Sequence, residues 1–220
     1  MDKNQQAKRE VIATFFDKAE VRVAFLSELA QTGHKPEAMT LCLTYIDSFA
    51  QWLCWSAASS GRNLVGRNFV EAVIQFGGEP LMGLVDLHLL KDARKALGKD
   101  LAEQIDRTFP GPPHELLPRP TFVDALAGHL ENAQLEKLQQ EVWRLTIAKV
   151  VYQYLRNPAV HDFGTSDGIW LSQLTYKGSS VPPLGFCQLL RCVHGLVAEA
   201  RRRSEANGQW FGNDAIVKDS

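Results

Sequence analysis

The stretch Tyr154-Leu155-Arg156-Asn157-Pro158-Ala159-Val160-His161-Asp162-Phe163-Gly164 decides how the rest of the chain is read, because a long apolar pattern stops in it and reactive side chains gather there. Upstream, Leu135, Leu138, Val142, Leu145, Ile147, Val150, Val151 and Tyr154 keep the three-and-four spacing of a buried helical face, which predicts one long helix over 134–155. Pro158 should stop it. Its ring crowds the carbonyl of Tyr154, it lacks the amide hydrogen that would continue the ladder, and it biases Asn157 away from helical dihedrals. The helix is therefore expected to end near Arg156, with Asn157 as N-cap, Pro158 at the first position of a new turn and Gly164 as its end. On an unbroken helix Arg156 and His161 would stand about 140° apart around the axis. A fresh helix start would instead turn a guanidinium, an imidazole and unpaired helix amides toward one anion.

Working outward, the same helical periodicity recurs. Ile12, Phe15, Phe16, Ala19, Val23, Leu26 and Leu29 predict a long helix over 5–31, and Met39, Leu41, Cys42, Tyr45, Ile46, Phe49, Leu53 and Cys54 predict a second, central one. Gly61 to Asn68 reads as a polar connection, since no strand precedes it and its glycine spacing fits no phosphate loop. Helical patterns resume over 69–76, 81–97 and 100–107, and the proline-rich segment 109–120 reads as a loop or linker. Short and long helices are expected over 122–130 and 134–155. Ile169 to Val181 fits a small β-hairpin, with Pro182-Pro183 keeping its second arm short. A last helix runs from Leu184 to about Ala206, where Asn207-Gly208 stops it, and 207–220 form a tail whose Trp210-Phe211 could dock. The fold class is all-α: one domain over 1–220, an antiparallel bundle with a possible hairpin insertion near 169–181.

Composition narrows the function. The chain has 220 residues, 45% of them hydrophobic, enough for a substantial core. A formal net charge of −1 rules out a global basic excess of the kind that coats long nucleic acid, so any such binding must be local. No apolar run approaches the roughly 20 residues of a membrane span, and the polar start has no signal-peptide core, so a cytoplasmic protein with no membrane partner is expected. Cys42, Cys54, Cys187 and Cys192 are far apart in apolar helical patterns and read as reduced core thiols, with neither metal nor cofactor nominated.

The run Leu155-Arg156-Asn157 followed by His161 resembles the motif of the HEPN superfamily, helical-bundle proteins many of which are metal-independent endoribonucleases. Spacing alone yields about one such Arg-to-His match by chance in a chain of this composition, and Arg107 to His114 is that match: it encloses prolines and lacks the Asn. The resemblance implies an all-α core over about 35–206. It implies RNA cleavage by 2′-hydroxyl attack with Arg156 and His161 as catalytic residues, and a homodimer with a shared cleft. By analogy it extends to toxins and antiviral effectors restrained by an inhibitory partner protein. Non-catalytic members that bind RNA, nucleotide or protein also exist. Asp162-Phe163-Gly164 matches a kinase tripeptide by letters alone and is discarded.

Supporting residues are weighed one by one. Asp47 sits inside an apolar helix pattern, where it either aims Arg156 through a salt bridge, forms an ordinary buried ion pair or lies in an exposed seam. Asn157 is a cap and orienting donor, and Asp162 a weaker candidate for holding His161 in one tautomer. Arg201 and Arg202, with Arg203, either draw the RNA backbone or form a solvated helix end favoured by the dipole. Trp170 is the candidate stacking ring for a base, while Trp52, Trp55 and Trp143 sit on apolar faces.

Overall fold

The structure is a computed structural model and describes residues 3–54, 62–111, 115–158, 169, 171 and 173–208. Its elements are helices α1 (Lys3–Gln31), α2 (Lys35–Leu53) and α3 (Arg62–Phe76), strand β1 (Leu84–Val85), and helices α4 (Leu90–Leu97) and α5 (Lys99–Thr108). Strand β2 (Leu117–Pro118) and helices α6 (Arg119–Ala127), α7 (Asn132–Glu141) and α8 (Ile147–Val151) follow, then strands β3 (Thr175–Tyr176) and β4 (Ser179–Ser180) and helix α9 (Phe186–Asn207). The all-α class and its small β insertion are as the sequence predicts. No described helix is long and apolar enough to cross a membrane.

Helices α1, α2, α3 and α9 form the bundle. Ile12, Phe16, Ala19, Val23 and Leu26 bury one stripe of α1, and α2 buries Met39, Cys42, Leu43, Ile46 and Phe49 between its neighbours. The N-terminal half of α1 meets the end of α2, with Phe15 and Trp52 ring centroids 6.3 Å apart, which makes the pair antiparallel. Gln51 near the end of α2 donates to the carbonyl of Val65 early in α3, so that pair is antiparallel too. Helix α9 closes the bundle at glycine: a Cβ on Gly195 would lie 2.1 Å from the carbonyl oxygen of Phe76. Only a residue without a side chain permits that approach.

A second apolar core holds Leu90, Ala93, Leu97, Leu101, Ile105, Phe122, Leu126 and Leu138 of helices α4 to α7. Helix α8 lies in the seam. Ile147, Ala148 and Val151 face the bundle core and Val150 faces the second core.

Several expectations need correction. The helix expected over 134–155 is interrupted: α7 tightens into a 3₁₀ turn over Val142–Leu145, and fully buried Thr146 is extended at φ −93° and ψ 156°. The reason is hydrogen bonding. Val85 pairs with Leu117 of β2 on one side and bridges Thr146 on the other, and Asp86 N–H donates to the Leu145 carbonyl at 2.7 Å. A buried strand must satisfy its backbone on both edges, and Thr146 leaves the helix to do so. The same strand splits the pattern over 81–97 into two short 3₁₀ turns, β1 and α4. The expected connection over 61–68 is instead helical from Arg62, and the expected linker over 109–120 contributes β2, buried Leu116 and the start of α6.

A hairpin forms but is shorter than the expected 169–181: β3 and β4 have two residues each, and Ile169 bridges Leu184 instead. Lys177 and Gly178 both take positive φ, 52° and 72°, the turn that matches the twist of two short strands. Gly208, in the left-handed conformation at φ 59°, ends α9 as predicted. Ser59-Ser60-Gly61, which the sequence predicts to end the second helix, the turn from Ala159 to Gly164 and the tail from Gln209 lie outside the described residues.

Gly195→Ala should therefore lower stability by about 1–3 kcal/mol despite the better helix propensity of alanine, because the new methyl meets main chain that cannot yield. Urea denaturation measures it.

Candidate functional site

Helix α8 does not stop at Arg156. Residues Tyr152–Arg156 form a π turn, in which Asn157 N–H donates to the carbonyl of Tyr152 five residues back, and the helical path continues through Pro158. Asn157 is helical, at φ −64° and ψ −49°, so the expected N-cap and the expected helix end at Arg156 are both corrected. A turn widened by one residue moves the Tyr154 carbonyl out of the way of the proline ring, which lets proline sit where an ordinary α-turn would collide. The strain expected to break the helix is absorbed one turn earlier.

That turn aims Arg156. One guanidinium nitrogen donates to Asp47 Oδ2 at 2.7 Å and another to Asn157 Oδ1 at 3.2 Å. Its carbon lies 5.4 Å from the centroid of the Tyr152 ring. Arg156 is 12% exposed and Asp47 22%, so the pair sits at the edge of the core. Of the readings open for Asp47, the salt bridge to Arg156 is the observed one. Asn157 acts toward Arg156 as an acceptor, not the donor expected. Asp47 Oδ1 is buried and accepts no hydrogen bond among the described residues.

Tyr152 in turn rests on α3. Its ring centroid is 5.3 Å from that of Phe69, and a Cβ on Gly66 would approach its Cε1 to 3.0 Å. Gly66 thus matters for close packing under the motif arginine.

Sequence reasoning missed the residues beside this one. Lys149 Nζ lies 5.4 Å from the Tyr152 centroid and 6.0 Å from that of Trp143, whose other neighbour is the Arg144 guanidinium at 4.5 Å. Burial pushes the Lys149 ammonium below the ordinary lysine range, Arg144 adds repulsion, and Asp92 partly offsets both. The spacing of Lys149, Tyr152 and Arg156 on one helical face was a readable signal; the break at Thr146 hid Trp143 and Arg144.

His161, Asp162 and Trp170 lie outside the described residues. Arg201 and Arg202 lie on α9. Arg201 pairs with Asp17, Glu20 and Glu205, and Arg202 with Glu199, which also holds Arg203. Arg203 donates to the Leu53 carbonyl and lies over the Phe76 ring. Arg201 and Arg203 knit α9 to α1, α2 and α3, while Arg202 pairs only within its own helix among the described residues.

Burial pushes the thiols of Cys42 and Cys192 up to about 12 and that of Cys54 up to about 11, so none is a thiolate near neutral pH. Cys187 is exposed, which corrects its expected place in the core. Among the described residues, no group of three or more His, Cys, Asp and Glu is gathered for a metal.

No family model, curated protein or solved structure matches the chain.

The Glu199 carboxyl is held at about 2, chiefly by the hydrogen bond from Arg202, against its ordinary value of 4.5. A depressed carboxylate stabilises the fold above its ordinary range, and that contribution disappears as pH falls toward 2. Melting temperatures taken from pH 5 to 2 should fall less steeply for Glu199→Gln than for the wild type.

Proposed function

We propose that the chain is an endoribonuclease that cleaves RNA by attack of a ribose 2′-hydroxyl on the adjacent phosphate. The observation that carries the reading is the aimed guanidinium: Arg156 is fixed by Asp47 and Asn157 at the π turn. The break at Pro158 expected to turn His161 toward it does not occur, so the pairing of the two residues comes from the resemblance and not from the backbone. The HEPN resemblance supplies the reaction class.

In this reaction the 2′-oxygen forms a bond to phosphorus and the bond from phosphorus to the 5′-oxygen breaks, leaving a 2′,3′-cyclic phosphate and a 5′-hydroxyl. Neutral His161 takes the 2′-hydroxyl proton, and a protonated imidazole delivers one to the departing oxygen. One histidine cannot serve both ends of a single displacement. A symmetric dimer with two motifs across a shared cleft provides the second. Arg156 stabilises the charge that builds on the non-bridging oxygens, the work a cation does in other phosphoryl-transfer sites.

A second reading is favoured by the same ion pair: with its charge already balanced by Asp47, Arg156 also suits a non-catalytic module that binds RNA, nucleotide or a partner protein without turnover.

Purified protein incubated with RNA and EDTA should yield products ending in 2′,3′-cyclic phosphate. Arg156→Ala and His161→Ala should each slow cleavage by about 100-fold or more while the helical circular dichroism signal is kept. Cleavage that persists in either variant would sink the assignment.

A further inference from the structure

Arg144, Trp143, Lys149, Tyr152 and Arg156 make one ladder in which cations and aromatic rings alternate. Successive separations between charge and ring centroid are 4.5, 6.0, 5.4 and 5.4 Å. The ladder runs from the 3₁₀ turn before Thr146 to the π turn after Val151, so the two departures from α-helical geometry are its ends.

The outer cations are neutralised. Arg144 pairs with Glu141 at 2.5 Å and Arg156 with Asp47 at 2.7 Å. The middle one differs. Lys149 makes no ion pair among the described residues; Asp92 acts on it only through space. It is half-buried and lies near a second cation. Holding an ammonium there costs stability, and rings at 5.4 and 6.0 Å return only part of that cost. With both arginines paired to carboxylates, Lys149 is the cation of this row left without an ion pair among the described residues, and an external anion suits it. Trp143 is 4% exposed, so its ring shapes the cation's position and is not open for a base to stack on. The chemistry presented outward is therefore that of phosphate recognition.

We propose that Lys149, flanked by Arg144 and Arg156, binds backbone phosphates of single-stranded RNA and forms a track along the face of α8 that feeds the Arg156 site. The identity of the ligand as RNA rests on the function proposed above. Binding through phosphates carries no base specificity, so the track is indifferent to sequence. Lys149 is a positioning residue here: it holds the strand and does not touch the reacting atoms.

The test uses the full chain and a fluorescent 20-nucleotide 2′-O-methyl oligouridylate, which lacks the attacking hydroxyl. Lys149→Met should weaken binding by about fivefold, and the slope of log affinity against log salt should fall by about 0.7. The same variant should melt about 2–4 °C higher, since a desolvated charge has been removed. Lys149→Arg should restore binding, and Lys8→Gln on α1 should bind as the wild type does. A purely structural lysine gives the opposite pattern, lower melting with affinity unchanged, and would overturn the track. So would failure of the wild type to bind the oligomer, or competition by uridine monophosphate or inorganic phosphate at the same phosphate concentration, which would reduce the track to a single anion site. If affinity depends on Lys149 but unmodified RNA is not cleaved, the track stands and the nuclease reading falls. If RNA is cleaved and Lys149→Met binds normally, the nuclease reading stands and the track falls.

Discussion

The ion pair between Asp47 and Arg156 ties together residues 109 positions apart in the chain, and the geometry of the candidate site depends on it. Asp47 belongs to the central helix of the bundle and Arg156 to the π turn that continues α8. Its value is positional more than energetic, because the cost of desolvating two charges at the core edge offsets much of their attraction. Removing one partner is a different matter. The remaining charge would be left with 12% or 22% exposure and little water to replace what it lost.

Two local irregularities deliver Arg156 to that partner. At Thr146 the chain abandons the helix to complete the pairing of Val85, which lets α8 start afresh between two apolar cores. At Tyr152 the helix widens by one residue and carries proline without a break. Both concern backbone hydrogen bonds and both bracket the row of cations and rings. Gly66 adds a further constraint, since a Cβ there would press on the Tyr152 ring at 3.0 Å and push it aside.

The sequence revealed the fold where one helix buries one stripe. The stripes of α1, α2 and α9 were readable because each packs on a continuous apolar face, and the end of α9 because Gly208 takes the left-handed φ that favours glycine. The cost of a carboxylate in an apolar pattern made a partner for Asp47 legible, but pairing with Arg156 was one of three readings, and only the packed helices single it out. The break at Thr146 was not readable: Val142, Leu145 and Ile147 keep helical spacing across it, and the cause is a strand 61 positions upstream. Pro158 misled for a related reason. Local sterics required relief but did not say whether the chain would break or widen. The arginines of α9 showed their charge in sequence, while Asp17, Glu20 and Glu199 came into reach only once the helices packed.

A double-mutant cycle over Asp47 and Arg156, with Asp47→Asn, Arg156→Gln and the double variant unfolded in urea, tests the central claim most directly. A coupling of about 1–3 kcal/mol is predicted, with each single variant less stable than additivity with the double would allow. Coupling indistinguishable from zero would mean that the two side chains do not hold one another, and the account of how Arg156 is aimed would be contradicted.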